Sequence, residues 1–124
     1  MTGPECEIVK SFGFEAAHLL PNVEAGHKCA RLHGHSFRVE VKVAGPIGDD
    51  SGWVLDFADL ASAWAPLHDQ LDHRYLNDVE GLENPTSERI AVWIWDRLAH
   101  RLPGLSSVTV HETCTASATY RGAP

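Results

Sequence analysis

Two histidines and a cysteine stand close together in the segment Cys29-Ala30-Arg31-Leu32-His33-Gly34-His35. The residues that follow alternate between apolar and polar types, which predicts a half-buried β-strand. Residues two apart in a strand point to the same side, so His33 and His35 share a face with Phe37 and the valines beyond it. Ring nitrogens on a face turned towards a core need polar partners. One metal ion bound by both imidazoles would satisfy them, and the spacing therefore predicts a metal site.

A catalytic zinc ion usually keeps one coordination position open and takes its other ligands from the protein. His18 is the best candidate for the third ligand, because it ends a first predicted strand, residues 5–18, on the apolar face of that strand. His27 competes for this role, but it lies in a loop where no pattern aims it inward. Three histidines on the inward faces of pairing strands favour a metal site over isolated core or surface histidines.

Cys29 allows two interpretations. It is either a fourth ligand, which would close the site and make it structural, or an activated thiol beside the metal. It stands between Lys28 and Arg31, and a nearby cation favours a thiolate, so an inert buried cysteine is a less suitable interpretation here. The choice between ligand and activated thiol stays open. Cys6 and Cys114 are predicted to be inert buried cysteines.

Two further sites carry groups suited to proton transfer or hydrogen bonding. Asp72 and His73 are either a carboxylate–imidazole pair that tunes a proton carrier or the polar end of a helix on the surface. Glu112 lies on the apolar face of a predicted strand, so it is either a buried carboxylate that needs a strong donor or a strand-end residue that reaches solvent. His68 and His111 are expected on the surface.

The elements that must position these residues follow in the order ββααββ. The helices are predicted by apolar residues at helical spacing after Asp56, with Pro66 expected to kink or end the first helix, and again after the segment Asn84-Pro85-Thr86-Ser87-Glu88. The last two strands are predicted over residues 106–113 and 116–120. Strands at both ends with helices between them predict an α+β fold, in which an antiparallel four-stranded sheet carries two helices on one face.

Composition limits the classes of function. The 124 residues fit one domain, 1–124, with 44% apolar and 22% charged residues, as in a soluble globular protein. A formal net charge of −7 argues against a nucleic-acid surface, and no apolar run is long enough to predict a membrane span. Residues 1–6 lack the features of a secretory signal, and the three cysteines do not predict a disulfide framework, so a reducing cytoplasm is expected.

Taken together, the motifs resemble those of the 6-pyruvoyl-tetrahydropterin synthase family. They run in the family's order from about residue 12 to 122, and the gap between Cys29 and His33 resembles that of the family's bacterial queuosine-pathway branch rather than the longer gap of the animal enzymes. The matching segments are Phe14-Glu15-Ala16-Ala17-His18, Cys29-Ala30-Arg31-Leu32-His33-Gly34-His35, Leu71-Asp72-His73-Arg74-Tyr75-Leu76-Asn77, Asn84-Pro85-Thr86-Ser87-Glu88 and His111-Glu112-Thr113.

The resemblance implies a T-fold that assembles edge to edge into a barrel, commonly a hexamer built as a dimer of trimers with active sites at subunit interfaces. It implies that 7,8-dihydroneopterin triphosphate is converted to 6-carboxytetrahydropterin, acetaldehyde and triphosphate. The roles that it implies are Zn2+ bound by His18, His33 and His35, proton transfer by Cys29 with Asp72 and His73 as its relay, and pterin binding by Glu112 helped by Thr113.

Two alternative functions and one open assignment bear on these expectations. The same fold and substrate would serve a 6-pyruvoyl-forming triphosphate elimination. A noncatalytic, zinc-stabilised assembly module would instead use Cys29 as a ligand. The residues that would contact the triphosphate are left open among Lys28, Arg31 and Arg74, each of which could equally be a solvated surface cation.

Overall fold

Residues 3–124 are described in a computed structural model. A five-stranded sheet in the order β3-β1-β2-β4-β5 forms one layer, and two helices cover one of its faces. Its elements are β1 (Glu5–His18), β2 (His33–Pro46), α1 (Phe57–Leu71), β3 (Arg74–Tyr75), α2 (Ser87–Leu98), β4 (Leu105–Thr113) and β5 (Ala116–Tyr120), with single 3-10 turns at Lys28–Ala30 and Leu76–Asp78.

The long hairpin of β1 and β2 forms the centre of the sheet, and its register is unbroken from Glu5 opposite Pro46 to His18 opposite His33. Strand β4 pairs with β2, and β5 pairs with β4, all antiparallel. The α+β class and the four main strands agree with the prediction. The sheet differs by one strand, since β3 pairs parallel with β1 through Arg74 and Tyr75. Two residues are too few to show a period, so this strand leaves no signal in the sequence.

Both helices begin at the caps that the sequence predicts. The Asp56 side chain accepts a hydrogen bond from the Ala58 amide, and the Thr86 hydroxyl accepts one from Arg89. The sequence predicted that Pro66 would either kink helix α1 or end it. The helix does not end there. It continues to Leu71, which is fully buried, so burial of its apolar face sustains the helix beyond the proline.

The core lies between the helices and the alternate residues of β1, β2 and β4 that face them. Near one end of this layer, the rings of Phe14 and Phe37 stack with their centroids 4.8 Å apart. The ring of His18 lies edge-on against Phe37, with 5.5 Å between centroids, and is fully buried. The end of the β1–β2 hairpin that carries the histidines is therefore continuous with the hydrophobic core.

Three predictions of burial are wrong. Cys6 and Cys114 are exposed free thiols because they lie near strand ends, where alternation no longer ensures cover by a helix. His111 is not exposed but half-buried, because its Nε2 contacts the Glu40 carboxylate on the neighbouring strand. Among the residues described, neither helix is long and apolar enough to cross a membrane.

Candidate metal centre and adjoining cavity

Three histidines meet where β1 ends and β2 begins. His18 is the register partner of His33, and His35 lies two residues further along β2 on the same side. One ring nitrogen from each can be chosen so that all three lie within 4.8 Å of one another. The structure thus brings together the three histidines that the alternation of the two strands selected.

Hydrogen bonds fix the orientation of two of these rings. Nδ1 of His18 lies 2.8 Å from the carbonyl oxygen of Pro85, and Nδ1 of His33 lies 2.7 Å from that of Arg31. A carbonyl oxygen can only accept, so each Nδ1 carries a hydrogen and donates it. In a neutral ring this leaves the lone pair on Nε2, which is the arrangement that metal-binding histidines use.

The Nε2 atoms of His18 and His35 are buried and make no hydrogen bond with any described residue. Burial is the main cause that lowers the pKa of His18, with a smaller contribution in the same direction from His33, so the neutral ring is favoured. The carboxylate of Glu112 lies 3.4 Å from Nε2 of His18 and 3.8 Å from Nε2 of His35. Buried lone pairs that converge beside a carboxylate fit a divalent cation.

His27, the other candidate for the third ligand, lies outside this cluster. Its Nδ1 accepts a hydrogen bond from the amide of Cys29, with 3.0 Å between the nitrogens. Cys29 also lies outside the cluster of donor atoms. This placement agrees better with a thiol beside the metal than with a fourth ligand.

A cavity of about 340 Å³ opens beside the histidines. Glu112 and Thr113 line it from the end of β4, and Cys29 lines it from the 3-10 turn at Lys28–Ala30. Of the three cations considered for the triphosphate, Lys28 lines this cavity, whereas Arg31 is exposed elsewhere and Arg74 donates to the carbonyl oxygen of Asp69. The lining consists of Lys28, Cys29, His33, His35, Glu112 and Thr113.

Asp72 and His73 form the hydrogen-bonded pair that one interpretation predicted. Nδ1 of His73 lies 2.7 Å from Oδ2 of Asp72, while Oδ1 of Asp72 accepts the amide hydrogen of Glu15 at 2.8 Å. The hydrogen bond from the Glu15 amide is the main cause that lowers the pKa of the Asp72 carboxyl, and the bond from His73 acts in the same direction. The carboxylate therefore stays ionised and orients the ring of His73, whose side chain is 79% exposed. The side chain of His68, which was expected on the surface, is 41% exposed, and its Nε2 lies 3.8 Å from Asp72.

Asp72 and His73 do not line the cavity that holds Cys29. His73 borders a second cavity, of about 580 Å³, which is also lined by His35 and by Glu15, Ser36 and the residues of β3. Within one subunit the structure thus joins Cys29, Glu112 and Thr113 to His33 and His35 in one cavity, and the Asp72–His73 pair lies outside that cavity.

Several residues that support the site carry no assignment from the sequence. The carbonyl groups of Pro85 and Arg31 orient the histidine rings, but a backbone acceptor has no residue type to reveal it. Asn77 makes two hydrogen bonds to the backbone of Leu19, the residue after His18, with its amide both donating and accepting. Asn77 is the last residue of the motif of residues 71–77, and its place in that motif is the one signal that the sequence offers for it.

An α+β sheet with three inward histidines beside a thiol and a carboxylate defines a candidate metal-dependent enzyme site. The family model described as 6-pyruvoyl tetrahydropterin synthase matches residues 7–123, and the chain belongs to this family. The resemblance seen in the sequence is therefore confirmed.

Individual proteins support the same membership. The chain is 53% identical over 119 residues to the 6-carboxy-5,6,7,8-tetrahydropterin synthase of Synechocystis, covering 91% of each chain. It is 39% identical over 100 residues to the dihydroneopterin monophosphate aldolase of Pyrococcus furiosus, covering 81% of each. The structure of the 6-pyruvoyl tetrahydropterin synthase of Caenorhabditis elegans superposes with a TM-score of 0.91 at 29% identity, covering 99% of each chain.

Proposed function

We propose that this protein is a zinc-dependent carbon–carbon lyase. It converts 7,8-dihydroneopterin triphosphate to 6-carboxy-5,6,7,8-tetrahydropterin, acetaldehyde and triphosphate, and it acts in the queuosine pathway. The 53% identity to a 6-carboxytetrahydropterin synthase supports the reaction, and the three free thiols fit a reducing cytoplasm.

The observation that carries the proposal is the convergence of one ring nitrogen each from His18, His33 and His35 beside a cavity that Cys29 and Glu112 also line. Zinc held by these imidazoles would supply Lewis-acid polarisation of the oxygens on the substrate's side chain. Each imidazole contributes a neutral donor atom, and the carbonyl groups of Pro85 and Arg31 hold two of the rings in position.

The other groups of the cavity have complementary roles. The Glu112 carboxylate binds the pterin by accepting hydrogen bonds from the 2-amino group and the adjacent ring N–H, which lie on one edge of the ring system. Thr113, next in the chain, helps through its hydroxyl. Cys29 moves protons between the side chain and the ring of the substrate. Lys28 is our candidate for the cation that meets the triphosphate, because it lines this cavity.

A second acid–base group comes from the Asp72–His73 pair of a neighbouring subunit. Two observations support this assignment. The pair lies apart from the Cys29 cavity of its own chain. The sheet also has two open edges, because β5 ends one side and β3 pairs with β1 only at Ala16 and Ala17. Open strand edges pair readily with other strands, and edge-to-edge assembly into a hexamer of two stacked trimers would bring His73 to the next subunit's cavity.

The decisive experiment is to incubate metal-replete protein with 7,8-dihydroneopterin triphosphate and to identify the products by mass spectrometry. Formation of 6-carboxytetrahydropterin with one acetaldehyde per turnover is the expected result. A pyruvoyl pterin formed without acetaldehyde would instead assign the triphosphate elimination. Because one relative is an aldolase of dihydroneopterin monophosphate, the monophosphate is tested in parallel, and faster turnover of that substrate would also overturn the proposal.

The noncatalytic alternative makes a different prediction for Cys29. If the protein were a zinc-stabilised assembly module, Cys29→Ala would release zinc, because the thiol would be a ligand. In the lyase, Cys29→Ala loses turnover but keeps its zinc and its oligomeric state. Metal analysis and size-exclusion chromatography of this variant therefore separate the two functions.

A further inference from the structure

His27 precedes the turn that carries Cys29, and its side chain has a defined partner. The 3-10 turn comprises Lys28–Ala30, and His27 occupies the N-cap position with an extended backbone, φ −63° and ψ 137°. Its Nδ1 lies 3.0 Å from the amide nitrogen of Cys29 and accepts that hydrogen. An N-cap is more commonly Ser, Thr, Asp or Asn, whose side-chain oxygens make the same bond.

This bond restrains the amide group of Cys29, and a second bond restrains its carbonyl group. The carbonyl oxygen of Cys29 accepts the amide hydrogen of Leu20 at 2.7 Å. Leu20 lies two residues beyond His18, so this bond ties the turn to the end of β1 that carries the metal candidate. One anchor of Cys29 is therefore supplied by the main chain, and the other is supplied by the ring of His27.

We propose that His27 is a positioning residue, which holds the backbone of Cys29 so that its thiol enters the cavity beside His33 and His35. This inference rests on the proposed function of Cys29 as the thiol that transfers protons. A loop backbone without such anchors samples several conformations, and each of them would point the thiol in a different direction. Catalysis falls steeply when a reacting group is misplaced, so the cap bond contributes to turnover although His27 does not contact the substrate.

The geometry of the bond allows a matched pair of variants. Asn places Oδ1 at the same distance along its side chain as Nδ1 of histidine, so Asn can accept the same hydrogen bond. Gln carries the same amide group one bond further from the backbone and is a poor N-cap. His27→Asn therefore keeps the bond, whereas His27→Gln and His27→Ala remove it.

The experiment uses zinc-loaded full-length protein in which Cys6→Ser and Cys114→Ser remove the two exposed thiols. In this background, the rate of Cys29 alkylation by iodoacetamide is measured without substrate, and kcat and KM are measured with 7,8-dihydroneopterin triphosphate. We expect kcat to fall about tenfold in the Ala and Gln variants, which corresponds to roughly 1.4 kcal/mol. KM should change by less than about twofold, because binding of the ground state is unaffected.

Alkylation of Cys29 should become at least about threefold faster in the Ala and Gln variants, because the half-buried thiol gains access to solvent when the turn loosens. His27→Asn should restore both kcat and the alkylation rate, and all variants should keep their zinc. An Ala variant with wild-type kcat, an Asn variant as impaired as Ala, or loss of zinc from the Ala variant would each overturn the proposal.

The two readouts separate this inference from the proposed function. If the parent protein forms no 6-carboxytetrahydropterin, the proposed lyase function fails, while the alkylation rates still report whether His27 positions Cys29. If the parent is active and the alkylation rates of all variants are equal, the lyase function stands and the role of His27 is refuted.

Discussion

The ring of His18 donates the hydrogen on Nδ1 to the carbonyl oxygen of Pro85 across 2.8 Å. Pro85 immediately precedes Thr86, the cap of α2, so the bond connects the end of β1 to the beginning of the second helix. It also leaves the lone pair on Nε2, and the rings of His33 and His35 lie close to that of His18, with 4.5 Å and 5.3 Å between centroids. The direction of a candidate metal ligand therefore depends on a carbonyl group 67 positions away in sequence, next to the cap of a helix.

Removal of a single histidine tests the metal site directly. We expect His33→Ala to lower zinc affinity more than about 100-fold, because loss of a ligand should cost more than the 10- to 100-fold typical of its supporting partners. Turnover should fall with it. Zinc per subunit is measured by elemental analysis after dialysis against a weak chelator. His100→Ala, at an exposed histidine after α2, is the matched control and should keep its zinc. Full occupancy in His33→Ala would refute the metal assignment.

Glu112→Gln tests pterin binding apart from metal binding. The amide replaces one acceptor oxygen with a donor that faces the donors of the pterin, so we expect the substrate Kd to rise about ten- to hundredfold. Zinc should remain bound, because the three imidazoles are unchanged. Binding is measured by calorimetry with a non-reacting pterin, and Glu24→Gln, in an exposed loop, serves as the control. Equal affinity in the two variants would remove Glu112 from the site.

Mixing two inactive variants tests whether the active site is shared between subunits. Cys29→Ala and His73→Asn are each expected to be inactive. Asn is chosen because His73 has a φ of +58°, a backbone conformation that Asn tolerates. After the mixed chains are unfolded and reassembled, random assembly should restore activity to about one quarter of the wild-type level. If each subunit held a complete site, no mixture would regain activity.

The pKa of Asp72 predicts how stability depends on pH. Hydrogen bonds from Glu15 and His73 lower the pKa of this carboxyl in the folded state, whereas in the unfolded chain the pKa is about 3.9. The unfolded state therefore binds a proton first as the pH falls, and the carboxylate stabilises the fold above about pH 4. This contribution is lost as the pH falls through the lower pKa of the folded state.

Urea unfolding of the wild type and of Asp72→Asn measures this effect between pH 7 and pH 3. The free energy of unfolding of the wild type should exceed that of the variant at neutral pH, and the difference should shrink on acidification. Asp50→Asn changes an exposed aspartate of the turn after β2 and provides the comparison. A difference for Asp72→Asn that stays constant down to pH 3 would contradict the prediction.

The sequence could predict the inner face of the sheet because a strand has a period of two. His33, His35 and Phe37 share one parity, and the same rule placed His18 and Glu112 on the inward side. Alternation identifies the face of a strand, but it does not show how far the helices cover that face. For this reason the exposed thiol of Cys6 was predicted to be buried.

Contacts that depend on distant segments were beyond prediction. The carbonyl of Pro85 reaches His18, and Asn77 pairs with the backbone of Leu19, only after the helices have packed on the sheet. The same holds for β3, which consists of two residues held beside β1 by tertiary structure. In each case a backbone group or a single amide makes the contact, and neither produces a periodic pattern.

The buried Nε2 atoms of His18 and His35 couple the fold to the metal. Polar atoms without partners oppose folding, and a cation that binds only the native state offsets this cost. At a free zinc concentration 100-fold above Kd, the added stability is about 2.7 kcal/mol, enough to raise the melting temperature of a domain of this size by roughly ten degrees. A partly loaded preparation would then contain two populations that unfold at different temperatures. Calorimetry could therefore report its metal occupancy before any substrate is available.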